Sequence, residues 1–200
     1  MNEVLFKNLG INKTDYYNSV SLLSRLGDYY RSELRRIDEN EIYADPQNYV
    51  DVYHFLKKEF GNDFNGKKIL EVGSGTGIFL SVLSQMGAEV HGIDRRNLGD
   101  LPGKNGVNLY RDDVRCIDYN LFGNVDAVIS RAFFEHPMFS NLGEIELLFK
   151  SKLPKTFHIH QTHDNTLSYV DWKKLNLDMK QIKTQSILYP YVYYMNSRSI

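Results

Sequence analysis

A chain of 200 residues with 42% hydrophobic and 13% aromatic side chains carries enough apolar material for one folded domain with a real core. Its 24 basic and 25 acidic side chains leave a formal charge of -1, so no global basic field is available to hold a nucleic-acid backbone. The only cysteine, Cys116, excludes an intrachain disulfide and a thiolate metal cluster, and it is expected to behave as a small buried hydrophobe.

Residues 1–13 are short, mixed and polar, and read as an arm or loose cover. The N-terminus has no basic region followed by an apolar core, and no stretch reaches membrane-spanning length, so no membrane partner and a cytoplasmic location are expected. From Thr14, the residues Tyr16, Val20, Leu23, Leu26, Tyr30, Leu34 and Ile37 recur at spacings of three and four. That stripe predicts an amphipathic helix to about Glu39, with Gly27 as a candidate kink or break. Asp45-Pro46 reads as an N-cap with proline at the first helical position, opening a helix that Gly61 ends. Two helices therefore precede the first strand.

Ile69 to Val72 is a short apolar strand running into Gly73-Ser74-Gly75-Thr76-Gly77, and the helix that follows is ended by Gly87. Glu89–Ile93 and Val107–Tyr110 are the second and third strands, the latter more polar and nearer a sheet edge. Between them, residues 95–106 are rich in Gly, Asn and Pro and predict no more than a short irregular helix. The nearly continuous apolar run around Ala127, Val128 and Ile129 predicts a strand buried on both faces. A helix opening at Asn141 and ending before Pro154, then a fifth strand at Thr156–His160, continue the alternation. A short helix is expected near 169–176. Strand-like sequence near 179–187 and 190–197, with no helix between, predicts an antiparallel hairpin at one sheet edge.

Glycines in a strand-to-helix turn let the backbone approach a ligand, while the helix start offers unpaired N–H groups and a positive end. Three loop types compete for this turn. A triphosphate loop is excluded because no Lys-Ser or Lys-Thr follows, and a dinucleotide loop requires glycine where Ile78 stands. What remains is Glu71-x-Gly73-x-Gly75-x-Gly77, with Asp94 closing the second strand and Asp112-Asp113-Val114 following the third. Asp94 alone does not separate the families, since a dinucleotide site uses an acidic residue in the same way.

Together with Val125-Asp126-Ala127-Val128-Ile129-Ser130-Arg131-Ala132-Phe133-Phe134-Glu135-His136, these residues resemble the class I S-adenosylmethionine-dependent methyltransferases of small-molecule type. The resemblance covers roughly residues 46–200. It implies an α/β, Rossmann-like, mostly parallel seven-stranded sheet of order 3-2-1-4-5-7-6 with the last strand antiparallel. Helices would cover both faces, and residues 1–45 would form an N-terminal helical cover or lid. The cofactor would be S-adenosylmethionine. Gly73, Ser74, Gly75 and Gly77 would hold its amino acid and ribose, and Glu71 would orient the loop or reach the ammonium through water. Asp94 would take the ribose, and Arg95 would be a further cofactor contact. Asp113 and Val114 would take the adenine, with Asp112 left open, and Ser130 and Arg131 would pass along the cofactor.

His136 is the candidate base, since an unshifted imidazole reaches either protonation state near neutrality. Tyr16, Tyr17, Tyr30, Phe133, Phe134 and His160 are candidates for the acceptor side. His158, His160 and His163 read as hydrogen-bonding residues, and no metal is expected. The Asn/Asp-Pro-Pro-Tyr/Phe tetrapeptide of base methylation is absent, for Ser130-Arg131-Ala132-Phe133 stands in its place. A small metabolite with a hydroxyl or amine is therefore the expected acceptor, ahead of a protein side chain and of nucleic acid. A catalytically silent cofactor-binding partner subunit and a nicotinamide-dependent oxidoreductase are the readings from other classes. The chain is expected to act as a monomer or homodimer.

Overall fold

A computed structural model describes residues 10–34, 46–96, 106–133, 153, 156–163, 180–185 and 190–195. Helix α1 spans Lys13–Leu34, a 3-10 turn Pro46–Tyr49 leads into α2, Val50–Phe60, and α3 spans Ile78–Gln85. The strands are β1 Lys68–Val72, β2 Glu89–Asp94, β3 Val107–Arg111, β4 Ala127–Arg131, β5 Phe157–His163, β6 Lys180–Gln185 and β7 Pro190–Met195.

The sheet corrects the expected fold. Its all-parallel, Rossmann-like part has only the five strands β3-β2-β1-β4-β5, rather than every strand but the last, and β7 and β6 follow beyond β5. Past β5 the ladder continues only in antiparallel pairs, β5 with β7 and β7 with β6. Only residues 186–189 join β6 to β7. A parallel pair needs a crossover of a dozen residues or more, so this short link makes β6 and β7 antiparallel. Because β7 also runs antiparallel to β5, the all-parallel ladder ends at β5.

Register explains where the core sits. Ile69 pairs with Val90 and Ala127, and these in turn pair with Val107 and Phe157, so one row of side chains faces the same way across all five strands. This row, with Ile129 and Ile159, forms one buried cluster with Tyr16 and Leu23 of α1, Phe55 and Leu56 of α2, and Phe79 and Leu83 of α3. The three helices thus share one face of the sheet. Leu70, Val72, Ile93 and Val128 are buried on the other face. There His91 packs against the rings of Tyr110 and Phe122, at 5.9 and 5.4 Å. Residues 97–105 of the segment where at most a short irregular helix is expected fall outside the described residues, as do 141–152, the Asp45 cap and the helix near 169–176.

Three local readings change. Helix α1 runs unbroken through Gly27, which is buried where α1 packs on α3, and Gln85 Nε2 donates to the Leu26 carbonyl across that contact at 3.3 Å. Helix α2 begins at Val50 after the 3-10 turn, with Tyr49 at its N-cap and no side chain capping it. Cys116 is exposed: the turn after β3 buries Val114 and Ile117 instead and leaves the thiol in solvent. Among the described residues no helix is long and apolar enough to cross a membrane.

Candidate cofactor site

The C-terminal ends of β1, β2, β3 and β4 meet at the glycine turn. Gly73, Gly75 and Gly77 have φ values of 71°, 54° and 73°. These left-handed conformations reverse the chain within five residues and let α3 start at once, with Gly77 at its N-cap. The turn is tied to β2, because the Gly73 and Ser74 amides both donate to the Ile93 carbonyl, at 2.8 and 3.2 Å.

Gly92 is needed for a different reason. A Cβ there would stand 2.6 Å from Ser74 Oγ and 2.7 Å from Leu109 Cδ2, so only hydrogen lets the turn seat against β2. Gly92→Val is expected to cost about 1–3 kcal/mol through this overpacking, read as a lower urea midpoint at unchanged slope.

Glu71 is fully buried on the helical face of β1. Its Oε1 accepts from the Tyr49 hydroxyl at 2.9 Å, while Oε2 has no hydrogen-bond partner among the described residues. Burial pushes this carboxyl up to about 8, against the opposing pull of Tyr49 and Arg131. Tyr49 stacks on Phe79 with centroids 4.3 Å apart, and the Arg131 guanidinium lies 5.5 Å from the Tyr49 ring. No spacing in the sequence announces the bond of Tyr49 to Glu71.

Asp94 sits at the end of β2. Burial opposes its charge, but Arg96 and the amides of Arg96 and Gly75 outweigh it and hold the carboxyl below the usual range. Oδ1 accepts from Arg96 N at 2.9 Å and Nε at 3.0 Å, and Oδ2 from Arg96 Nη2 at 3.0 Å and Gly75 N at 2.9 Å. The end of β3 repeats the pattern. Asp113 Oδ1 accepts from Arg115 N at 3.0 Å and Nε at 2.9 Å, and Oδ2 from Arg115 Nη2 at 2.6 Å, with Arg95 Nη1 at 3.6 Å. The Arg115 side chain is the main reason that Asp113 is held down at about 2. Asp112 caps the Asp113 amide at 2.7 Å, and Val114 is buried with its carbonyl accepting from Tyr119 Oη at 2.8 Å. Neither arginine fork was anticipated, although Asp-x-Arg at two successive strand ends is visible in the sequence.

At the end of β4, Ala132 takes φ 51° while its amide donates to the Gln161 carbonyl at 2.8 Å. This bend sends Phe133 back over the turn, where a Cβ on Gly73 would collide with its ring. Ser130 and His160 are brought together, Oγ to Nδ1 at 2.8 Å, both buried on the opposite face from Glu71. Burial, then His158, keeps the His160 imidazole neutral. Tyr16 is buried and donates to Asp51 Oδ1 at 3.2 Å, with Tyr17 edge-on at 6.0 Å. His136, Phe134 and the Tyr30 side chain lie outside the described residues.

The strand order, the glycine turn at the carboxyl ends of β1 and β2, and acids closing β2 and β3 define a class I Rossmann-fold, S-adenosylmethionine-dependent methyltransferase. The chain belongs to the methyltransferase domain family, whose model matches residues 44–198. No curated protein matches the sequence. Magnesium protoporphyrin IX methyltransferase (ChlM) from Synechocystis PCC 6803, solved with bound S-adenosylmethionine, superposes at a TM-score of 0.53 with 16% identity, covering 88% of this chain and 95% of that one. A putative RNA methyltransferase from Pyrococcus horikoshii gives 0.54 and 15%, over 79% and 86%. The bifunctional kinase-methyltransferase WbdD gives 0.52 and 17%, over 73% of this chain but only 37% of its own length. At these identities the likeness is one of fold.

The residues present fit the cofactor. A glycine cradle that a side chain would fill, a buried Glu71 oxygen with no partner among the described residues, and the Asp94 carboxylate bound to the cradle's own amide meet at the ends of β1 and β2.

Proposed function

We propose that this methyltransferase acts on a small-molecule hydroxyl or amine. The observation that carries the cofactor part of the reading is the glycine turn set between the buried Glu71 carboxyl and the Asp94 carboxylate, a cradle with acceptors at both ends. The cofactor, when bound, supplies a methyl group already made electrophilic by its sulfonium. Gly73, Ser74, Gly75 and Gly77 hold its amino acid and ribose, with Glu71 toward the ammonium and Asp94 and Arg95 at the ribose. Asp113 and Val114 take the adenine, while Ser130 and Arg131 lie alongside. The protein's work is alignment in a dry site, which supplies most of the rate in an in-line displacement. Residues 1–45 act as a cover over a methyltransferase domain formed by 46–200.

A small acceptor is favoured because the chain carries a net charge of -1 and has no base-methylation tetrapeptide after β4. The fold itself does not choose, since its relatives include both a porphyrin and a putative RNA methyltransferase. Tyr17, Tyr30, Phe133 and Phe134 supply the acceptor side, with Tyr16 and His160, both buried on hydrogen-bond partners of their own, behind it. His136 takes the proton that the acceptor loses. His136→Gln is expected to lower kcat by about tenfold or more and to remove the acid limb of the pH profile, with cofactor affinity unchanged.

The test is an acceptor screen with S-adenosylmethionine, following S-adenosylhomocysteine and methylated product by mass spectrometry. Product from a hydroxyl or amine metabolite supports the reading. Product only on protein would move the acceptor class, and cofactor binding with no product on any acceptor would favour a silent partner subunit.

A further inference from the structure

Arg96 stands in the place where the ribose is expected. A carboxylate offers about four acceptor positions. At Asp94 all four are taken, three by Arg96 through N, Nε and Nη2, and the fourth by the Gly75 amide. The amide bonds belong to the backbone, whereas the two guanidinium bonds are made by a side chain that is 48% exposed. A second contact points the same way. Arg96 Nη2 lies 3.1 Å from where a Cβ on Gly75 would stand, so the guanidinium also covers the glycine whose missing side chain opens the cradle.

We propose that Arg96 is a displaceable occupant of the cofactor's ribose subsite, and that it sets cofactor affinity by competing with the ribose hydroxyls for Asp94. This rests on the reading of Asp94 as the ribose acceptor. Binding exchanges the Nε and Nη2 bonds on the two oxygens for two hydroxyl donors, and the amides of Gly75 and Arg96 stay in place to hold the carboxylate. The intrinsic affinity is therefore reduced by the fraction of molecules in which the fork is closed, a cost that deletion of the side chain removes. The Arg115 fork on Asp113 shares the geometry but has no glycine beneath it, so the competition is assigned to Arg96 alone.

The prediction runs opposite to that for an ordinary binding residue. By calorimetric titration with S-adenosylmethionine and with S-adenosylhomocysteine, Arg96→Ala should bind both about threefold to tenfold more tightly than wild type, the span expected for loss of a half-exposed ion pair. Arg96→Lys, which keeps the charge but not the fork, should lie between them and serves if the alanine variant folds poorly. Thermal melts without ligand should show Arg96→Ala at or below wild type, because the buried carboxylate has lost its partner. A purely structural arginine gives the reverse in affinity, since loosening the turn weakens binding. Unchanged or weaker binding by both variants overturns the proposal while leaving the cofactor assignment intact. Failure of wild type to bind either ligand overturns the cofactor assignment and this proposal with it.

Discussion

Asp94→Ala should raise the dissociation constant for S-adenosylmethionine by about 30-fold to 1,000-fold, or about 2–4 kcal/mol. Two effects add. The ribose loses a charged acceptor, and charge-assisted hydrogen bonds are about twice as strong as neutral ones. The turn loses the bond from Gly75 N to Oδ2, at 2.9 Å, that fixes the middle of the cradle to β2. Far-ultraviolet circular dichroism should be unchanged, because the Gly73 and Ser74 amides still bond to the Ile93 carbonyl. Calorimetry reads the affinity. A loss of less than about threefold would mean that the ribose is held elsewhere.

Glu71→Gln should remove a pH dependence of stability. The Glu71 carboxyl titrates at about 8 in the folded chain against an ordinary value of 4.5, because burial at the centre of the sheet penalises its charged form. Tyr49 donates to one oxygen and Arg131 lies nearby, both favouring charge, while Asp94 opposes it. The native state thus holds a proton that the unfolded chain releases. Glu71 contributes its full stability below about 4.5, and this is lost as pH rises through about 8. Glutamine cannot titrate. Between about pH 4.5 and 8.5, urea unfolding should show wild type losing roughly 3–5 kcal/mol relative to Glu71→Gln, with groups common to both cancelling. Parallel pH profiles would mean that Glu71 is ionised when folded.

How far the sequence carried these conclusions depends on the kind of interaction. Strands such as β1 and β4 were legible because apolar runs bounded by glycine or aspartate leave little freedom in where they end. Gly73, Gly75, Gly77 and Asp94 were legible because a strand-to-helix turn imposes fixed spacing on them. The antiparallel hairpin was legible because no helix separates its strands, whereas the end of the all-parallel sheet at β5 was not, because the pairing of β7 with β5 joins residues far apart in the chain. Cys116 was misplaced because burial of a lone thiol depends on which neighbours, here Val114 and Ile117, win the inside of one turn. The arginine forks and the bond from Tyr49 to Glu71 depend on rotamers and on contacts 22 residues apart in the latter case, and neither periodicity nor composition encodes those.

The most direct test of the central claim is a pair of calorimetric titrations of the wild-type chain, one with S-adenosylmethionine and one with a nicotinamide dinucleotide. Saturable binding of S-adenosylmethionine at one site per chain, with the dinucleotide much weaker or silent, is the predicted result. Tight binding of the dinucleotide with none of S-adenosylmethionine would contradict it.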